Sequence, residues 1–211
     1  MTGVGTNAVA ALPVVLAAVE DPDLGVQGTA MFAYAAVEPD KARLVHTLVG
    51  WLRTKPVKVL SVFSATQALA VWRRPHGSEV QPLVSELIRM TDSPDVAIQA
   101  KAFSTLSSFG EQCAPAKDRA LAALKSTSSD VRRSACFVLS SARLEPELII
   151  PLLVQLAEAD DDPSVRTAAV DAMSYFGADS LPLTGAFRPQ VEKAIRERAE
   201  RERLWQRFNP K

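Results

Sequence analysis

Alanine returns at Ala30, Ala65, Ala102, Ala135 and Ala169, at spacings of 35, 37, 33 and 34 residues, and each sits in the same apolar frame. Four positions earlier stand Val26, Ser61, Ile98, Val131 and Val165. Four positions later come Tyr34, Leu69, Leu106, Leu139 and Met173, and three beyond those Val37, Trp72, Phe109, Ala142 and Phe176. Offsets of 0, 4, 8 and 11 put these residues on one side of a helix. A fixed small residue lets two helices approach closely, and the large residue one turn later fills the space beside it. Five copies of about this period predict a helical solenoid.

Each copy also carries a first helix, marked by Leu12 to Val19, Leu44 to Leu52, Val80 to Ile88, Ala116 to Leu124 and Leu148 to Leu156. Pro13, Pro82 and Pro151 are expected in first turns, where a missing N–H costs little. Ser78 followed by Gln81 fits a capping box. Turn formers separate the two helices of a copy at Asp21-Pro22-Asp23, Ser93-Pro94-Asp95, Ser126 to Asp130 and Asp160 to Ser164. Lys55-Pro56 fills that place in the second copy, the least regular of the five.

The most complete copies contain Asp162-Pro163-Ser164-Val165-Arg166 and Asp130-Val131-Arg132. This pattern resembles the HEAT repeat, particularly its short bacterial form, over about residues 7 to 177. The resemblance implies an all-α superhelical solenoid of about five repeats. It implies a hydrogen-bond ladder from the Asp and Arg of neighbouring repeats, and a concave side lined by second helices. Gln27, Val62 and Gln99 occupy the Arg place in the first three repeats. Family members are mostly scaffolds and binding modules, so the implied role is interaction with a protein.

Past Gly177 the repeat stops. Ala178 to Gly185 reads as a linker and Phe187 to Phe208 as one charged helix. Its i,i+4 pairs Glu192–Arg196, Glu197–Arg201 and Arg198–Glu202 support it locally. The expected division is therefore a solenoid over 1–178, then a linker and capping helix over 179–211. Phe187, Val191 and Ile195 are expected to cover the apolar end of the last repeat. Leu204, Trp205 and Phe208 form a separate cluster at the tip, suited to a partner.

Little in the composition points to chemistry. The formal net charge is zero, so nothing global favours nucleic acid or an anionic membrane. Two cysteines, Cys113 and Cys136, are too few for a disulfide framework and read as small core residues in a reducing compartment. No Lys or Arg precedes Lys41, which argues against a signal peptide in the apolar run Ala8 to Val19. No run is long enough for a membrane span. The expectation is a soluble, cytoplasmic protein with no membrane partner.

His46 and His76 do not have metal-ligand spacing, and the cysteines lack a CxxC arrangement. The acids Asp160-Asp161-Asp162 lack the alternation of a calcium loop and read as a solvated turn. No catalytic group, cofactor or metal is expected, and the chain reads as a non-enzyme. A nucleic-acid reading rests on Lys41, Arg43, Arg53, Lys55, Lys58, Arg73 and Arg74. It would make the chain similar to HEAT-like alkylpurine DNA glycosylases, using the basic loops of the second repeat. Against it, the outward positions of the second helices hold a single Arg, too little for a phosphate groove.

Those outward positions, two, six and nine residues into the frame, supply the candidate site. They hold Phe32, Phe63 and Phe137 as apolar contacts and Arg133 as a polar clamp. With Leu204, Trp205 and Phe208 these are the expected partner-binding residues of a scaffold, adaptor or subunit of a larger complex. Its partner is a protein, and nucleic acid is the alternative.

Overall fold

The computed structural model describes residues 10–54, 62, 63, 66 and 77–208. Among these, every regular element is a helix, and the chain is an all-α solenoid. It divides into two compact units, residues 1–115 and 116–211.

In the first unit α1 (Leu12–Ala18) packs on α2 (Leu24–Val37). Helix α3 (Lys41–Thr54) packs on α4 (Gln81–Met90), and α4 pairs with α5 (Val96–Ser107). The second unit has α6 (Lys117–Ala123), preceded by a 3-10 turn, then α7 (Ser129–Ser141), α8 (Pro146–Ala159) and α9 (Pro163–Met173). A 3-10 segment over Ala178–Phe187 leads into α10 (Arg188–Phe208).

The alanine frame is what packs these helices. Ala30, Ala102, Ala135 and Ala169 are all buried, and so are Tyr34, Leu106, Leu139 and Met173 one turn later. The frame's first position is buried at Val131 and Val165, half-buried at Ile98 and exposed at Val26. Ser61, Ala65, Leu69 and Trp72 lie outside the described residues.

Turn residues become helix caps. Asp23 accepts hydrogen bonds from the Gly25 and Val26 amides at 2.7 and 3.2 Å, and Asp95 from those of Ala97 and Ile98 at 2.8 and 3.3 Å. Asp162 accepts from the Ser164 amide at 2.7 Å. Each carboxylate satisfies amides that have no intrahelical partner and meets the positive end of the helix dipole.

Two local expectations change. Ser78 does not cap α4, because a 3-10 turn over Gly77–Val80 runs directly into it and Val80 occupies the cap position. Pro13 and Pro82 do lie in first turns, but Pro151 is inside α8, and Pro146 holds the first turn there.

The segment after Gly177 is more than a linker. Its 3-10 turns pack on α8, while α10 packs on α9. Within the unit α8 pairs with α9, and α9 already packs on the second helix α7. Residues 178–208 thus continue both rows of the second unit. Gly185, at φ 55°, makes the break between the 3-10 turns and α10 in a conformation that favours glycine. Val191 is fully buried, and Phe187 and Ile195 are half-buried at the base of α10.

Candidate functional site

In the second unit, α7, α9 and α10 form one row of second helices. Their outward positions gather aromatic rings and arginines. Phe137 of α7 and Tyr175, just past α9, meet edge to face with centroids 6.3 Å apart. The Arg198 guanidinium of α10 lies over the Tyr175 ring, 3.4 Å from its centroid, and donates to Ser174 Oγ at 2.6 Å. A cation on the ring face is attracted by the quadrupole, more so as water is excluded. Burial pushes the Arg198 pKa down, and Arg201 and Arg143 push it the same way.

Asp171 is the acid of this cluster. Burial raises its pKa, and Arg198 and Arg201 act against that rise. It forms no ion pair among the described residues. Arg143 follows α7 in the left-handed region, at φ 51°, as does Glu145 at φ 48°. Two such non-glycine residues cost of order 1 kcal/mol each or more. Lys117 Nζ holds the turn by donating to Glu145 at 2.7 Å.

Beneath this row the helices are tied by a second arrangement. Arg132 donates from Nε and Nη2 to the two oxygens of Asp160, at 2.7 and 2.8 Å, and from Nη1 to the Ser126 carbonyl at 2.8 Å. The ladder carboxylate is thus Asp160 rather than Asp130 or Asp162. Arg166 repeats only the carbonyl half, donating to the Asp160 carbonyl at 2.6 Å. Gln99 donates to the Thr91 carbonyl at 2.8 Å, and Gln27 to the Asp21 carbonyl. Glutamine at the Arg place therefore keeps the turn carbonyl and gives up the carboxylate. In the first unit Arg53 ties α3 to α4 instead, donating to the buried Glu86 at 2.8 Å, with Arg89 on the other oxygen at 2.9 Å. Burial works to raise the Glu86 pKa, but the two arginines outweigh it and hold it below the usual range.

The expected site residues separate. Arg133 is exposed on the row, pairing with Asp130 at 2.7 Å, and Phe137 is half-buried beside it. Phe32 is 40% exposed on α2, in the other unit. Phe63 is a correction: it is 0% exposed and cannot offer its ring to a partner. Its neighbours Val62 and Thr66 are fully buried as well. The positions nine residues into the frame are likewise inward, since Ala35, Ser140 and Ser174 are buried. Leu204 is 48% exposed on α10, while the side chains of Trp205 and Phe208 lie outside the described residues.

Sequence reasoning missed Tyr175, Arg198 and Arg201. Treating the last helix as a cap removed its side chains from the face. Its partial continuation of the second-helix row was the signal overlooked.

The basic stretch behind the nucleic-acid reading is largely engaged with acids where it is described. Lys41 lies 3.9 Å from Glu79, Arg43 lies 3.6 Å from Asp40, and Arg53 is held by Glu86. Lys55, Lys58, Arg73 and Arg74 lie outside the described residues. No group of three or more His, Cys, Asp or Glu is placed to hold a metal among the described residues. None of the described helices is long and apolar enough to cross a membrane.

A family model described as HEAT repeats matches residues 117–201, from the start of α6 well into α10. The match supports a HEAT-repeat assignment for this segment. The HEAT match includes Arg198 and Arg201, in keeping with α10 continuing the row of second helices. The crystal structure of an engineered protein is similar in fold to most of the chain, with a TM-score of 0.56 at 16% identity. The similarity covers 88% of this chain and 93% of that one. No curated protein matches the sequence. Fold and HEAT match support a helical repeat scaffold. Solenoids of this kind are typically non-catalytic.

Proposed function

We propose that the protein is a non-catalytic, cytoplasmic interaction module that binds a protein partner along the second-helix row of its C-terminal unit. The observation that supports this most is the outward face of α7, α9 and α10, where Phe137 and Tyr175 meet beneath the Arg198 guanidinium. Aromatic rings and arginine on rigid helices are the residue types that dominate binding energy in protein interfaces. A solenoid can present such a row without closing a core around it. The buried thiols Cys113 and Cys136 suit a reducing compartment. The tip of α10, with Leu204 exposed, is read as a second contact.

Affinity capture with the full chain tests the reading. Arg133→Glu combined with Thr167→Glu changes two exposed side chains on the row and should leave the fold intact. Proteins retained by the wild type and lost from this variant support the proposal. Retention of the same proteins by both rules out this face as the binding surface.

A further inference from the structure

Three other arginines at helix contacts find a carboxylate, while Arg166 has backbone carbonyls. Arg132 has both oxygens of Asp160, and Arg53 and Arg89 share Glu86. Arg198 has no such carboxylate. It is half-buried, spends one donor on Ser174 Oγ at 2.6 Å and rests on Tyr175, and it forms no ion pair among the described residues. A guanidinium has five N–H donors in a fork that matches a carboxylate, so most of its capacity is unspent.

Two further arginines stand close enough for their charges to act on Arg198. These are Arg143, beyond the end of α7, and Arg201, one turn along α10. Neither forms an ion pair among the described residues. Against these three cations the cluster holds Asp171, itself unpaired. Arg198 is half-buried while Arg143, Arg201 and Asp171 are exposed, and one acid among three arginines leaves a local positive charge that a further anion would offset.

We infer that this face binds an acidic peptide segment. Arg198, Arg201 and Arg143 take its carboxylates, and Phe137 and Tyr175 take an apolar side chain beside them. The inference rests on the interaction-module reading and names the chemistry of its partner. An acidic segment fits better than nucleic acid. The cationic cluster is short, and Glu192, Glu197, Glu200 and Glu202 are interspersed along the same helix. A regularly charged phosphate backbone would have to pass those acids, whereas a peptide can end its run of acids where the arginines end.

Fluorescence anisotropy of the full chain at low salt tests this with two labelled probes. One is a glutamate-rich peptide with a central leucine, and the other a thymidine homopolymer of matched charge. The peptide should bind with an affinity that falls as salt rises. Arg201→Gln, at an exposed side chain, should weaken it several-fold, and Arg198→Gln with Arg201→Gln by about tenfold or more. Arg196→Gln, outside the cluster, should leave binding unchanged. A thermal midpoint for Arg201→Gln equal to that of the wild type shows that its loss is not unfolding. Absence of peptide binding, or equal binding by wild type and both variants, overturns the inference. Tighter binding of the homopolymer through the same arginines overturns it in favour of nucleic acid. If peptide binding fails while capture remains sensitive to Arg133→Glu and Thr167→Glu, the interaction face stands and only its acidic partner is wrong.

Discussion

Arg132 grips both oxygens of Asp160 with two parallel N–H donors, at 2.7 and 2.8 Å, across 28 residues of sequence. The fork fixes distance and orientation together, which a point charge does not. It joins α7 to the turn between α8 and α9, so it sets one repeat against the next. Arg132→Gln should keep the turn-carbonyl bond, as Gln99 does, and lose the carboxylate. The expected cost is about 1.5–3 kcal/mol in chemical denaturation, since hydrogen bonds to a charged group are broken. A loss within error would show that the pair is incidental.

Acid should weaken the same region. The Arg132 hydrogen bonds hold the Asp160 carboxyl below its ordinary range, and Ser164 and Ser129 hold Asp162 down at about 2. A pKa lower when folded means that the unfolded chain takes up protons first as pH falls. The stabilisation from both groups is present above the ordinary value of 3.8 and is lost progressively towards about 2. Thermal midpoints measured across that window should fall less steeply for Asp160→Asn combined with Asp162→Asn than for the wild type.

The alanine frame predicts an asymmetry among alanines. Ala135 and Ala169 are fully buried, and replacing either with Leu should overpack the contact at a cost of about 1–3 kcal/mol. Ala122→Leu, at an exposed position on α6, should change stability by less than about 0.5 kcal/mol. Equal shifts in denaturation midpoint for all three would contradict the frame.

Burial pushes the thiols of Cys113 and Cys136 up to about 12. Because the thiolate is the reactive form, neither should react with a disulfide reagent in the folded protein near neutral pH. Both should react promptly in denaturant. Rapid labelling of either before unfolding would place it nearer the surface than its burial implies.

The base and tip of α10 should separate on truncation. Val191 is fully buried and Phe187 and Ile195 half-buried, whereas Leu204 is exposed. Ending the chain after Arg203 should leave the thermal midpoint nearly unchanged. Ending it before Phe187 removes the covering of the last repeat together with the Arg198–Tyr175 contact, and should lower the midpoint by several degrees. Equal destabilisation by the two cuts would show that the tip packs on the solenoid.

The fold was legible because its signal is periodic. Ala30, Ala102, Ala135 and Ala169 share one environment, and a position that fails in one copy is outvoted by the others. The site was only partly legible. Arg133 could be placed outward by counting from Val131, but the same count fails at Phe63, which is buried. Arg198 and Tyr175 come together through the packing of α10 on α9, a contact that no spacing within either helix specifies. Asp160 was likewise hidden in a run of three acids. Only the reach of Arg132 distinguishes it from Asp162, which caps its own helix.

Site-specific photo-crosslinking in cells tests the central claim most directly. A photoreactive amino acid in place of Thr167 lies exposed on the second-helix row, and one in place of Gln155 lies exposed on α8, in the other row. A defined partner adduct from the Thr167 position and none from the Gln155 position is the predicted result. Adducts from the Gln155 position alone would contradict it and move the interaction surface to the first helices.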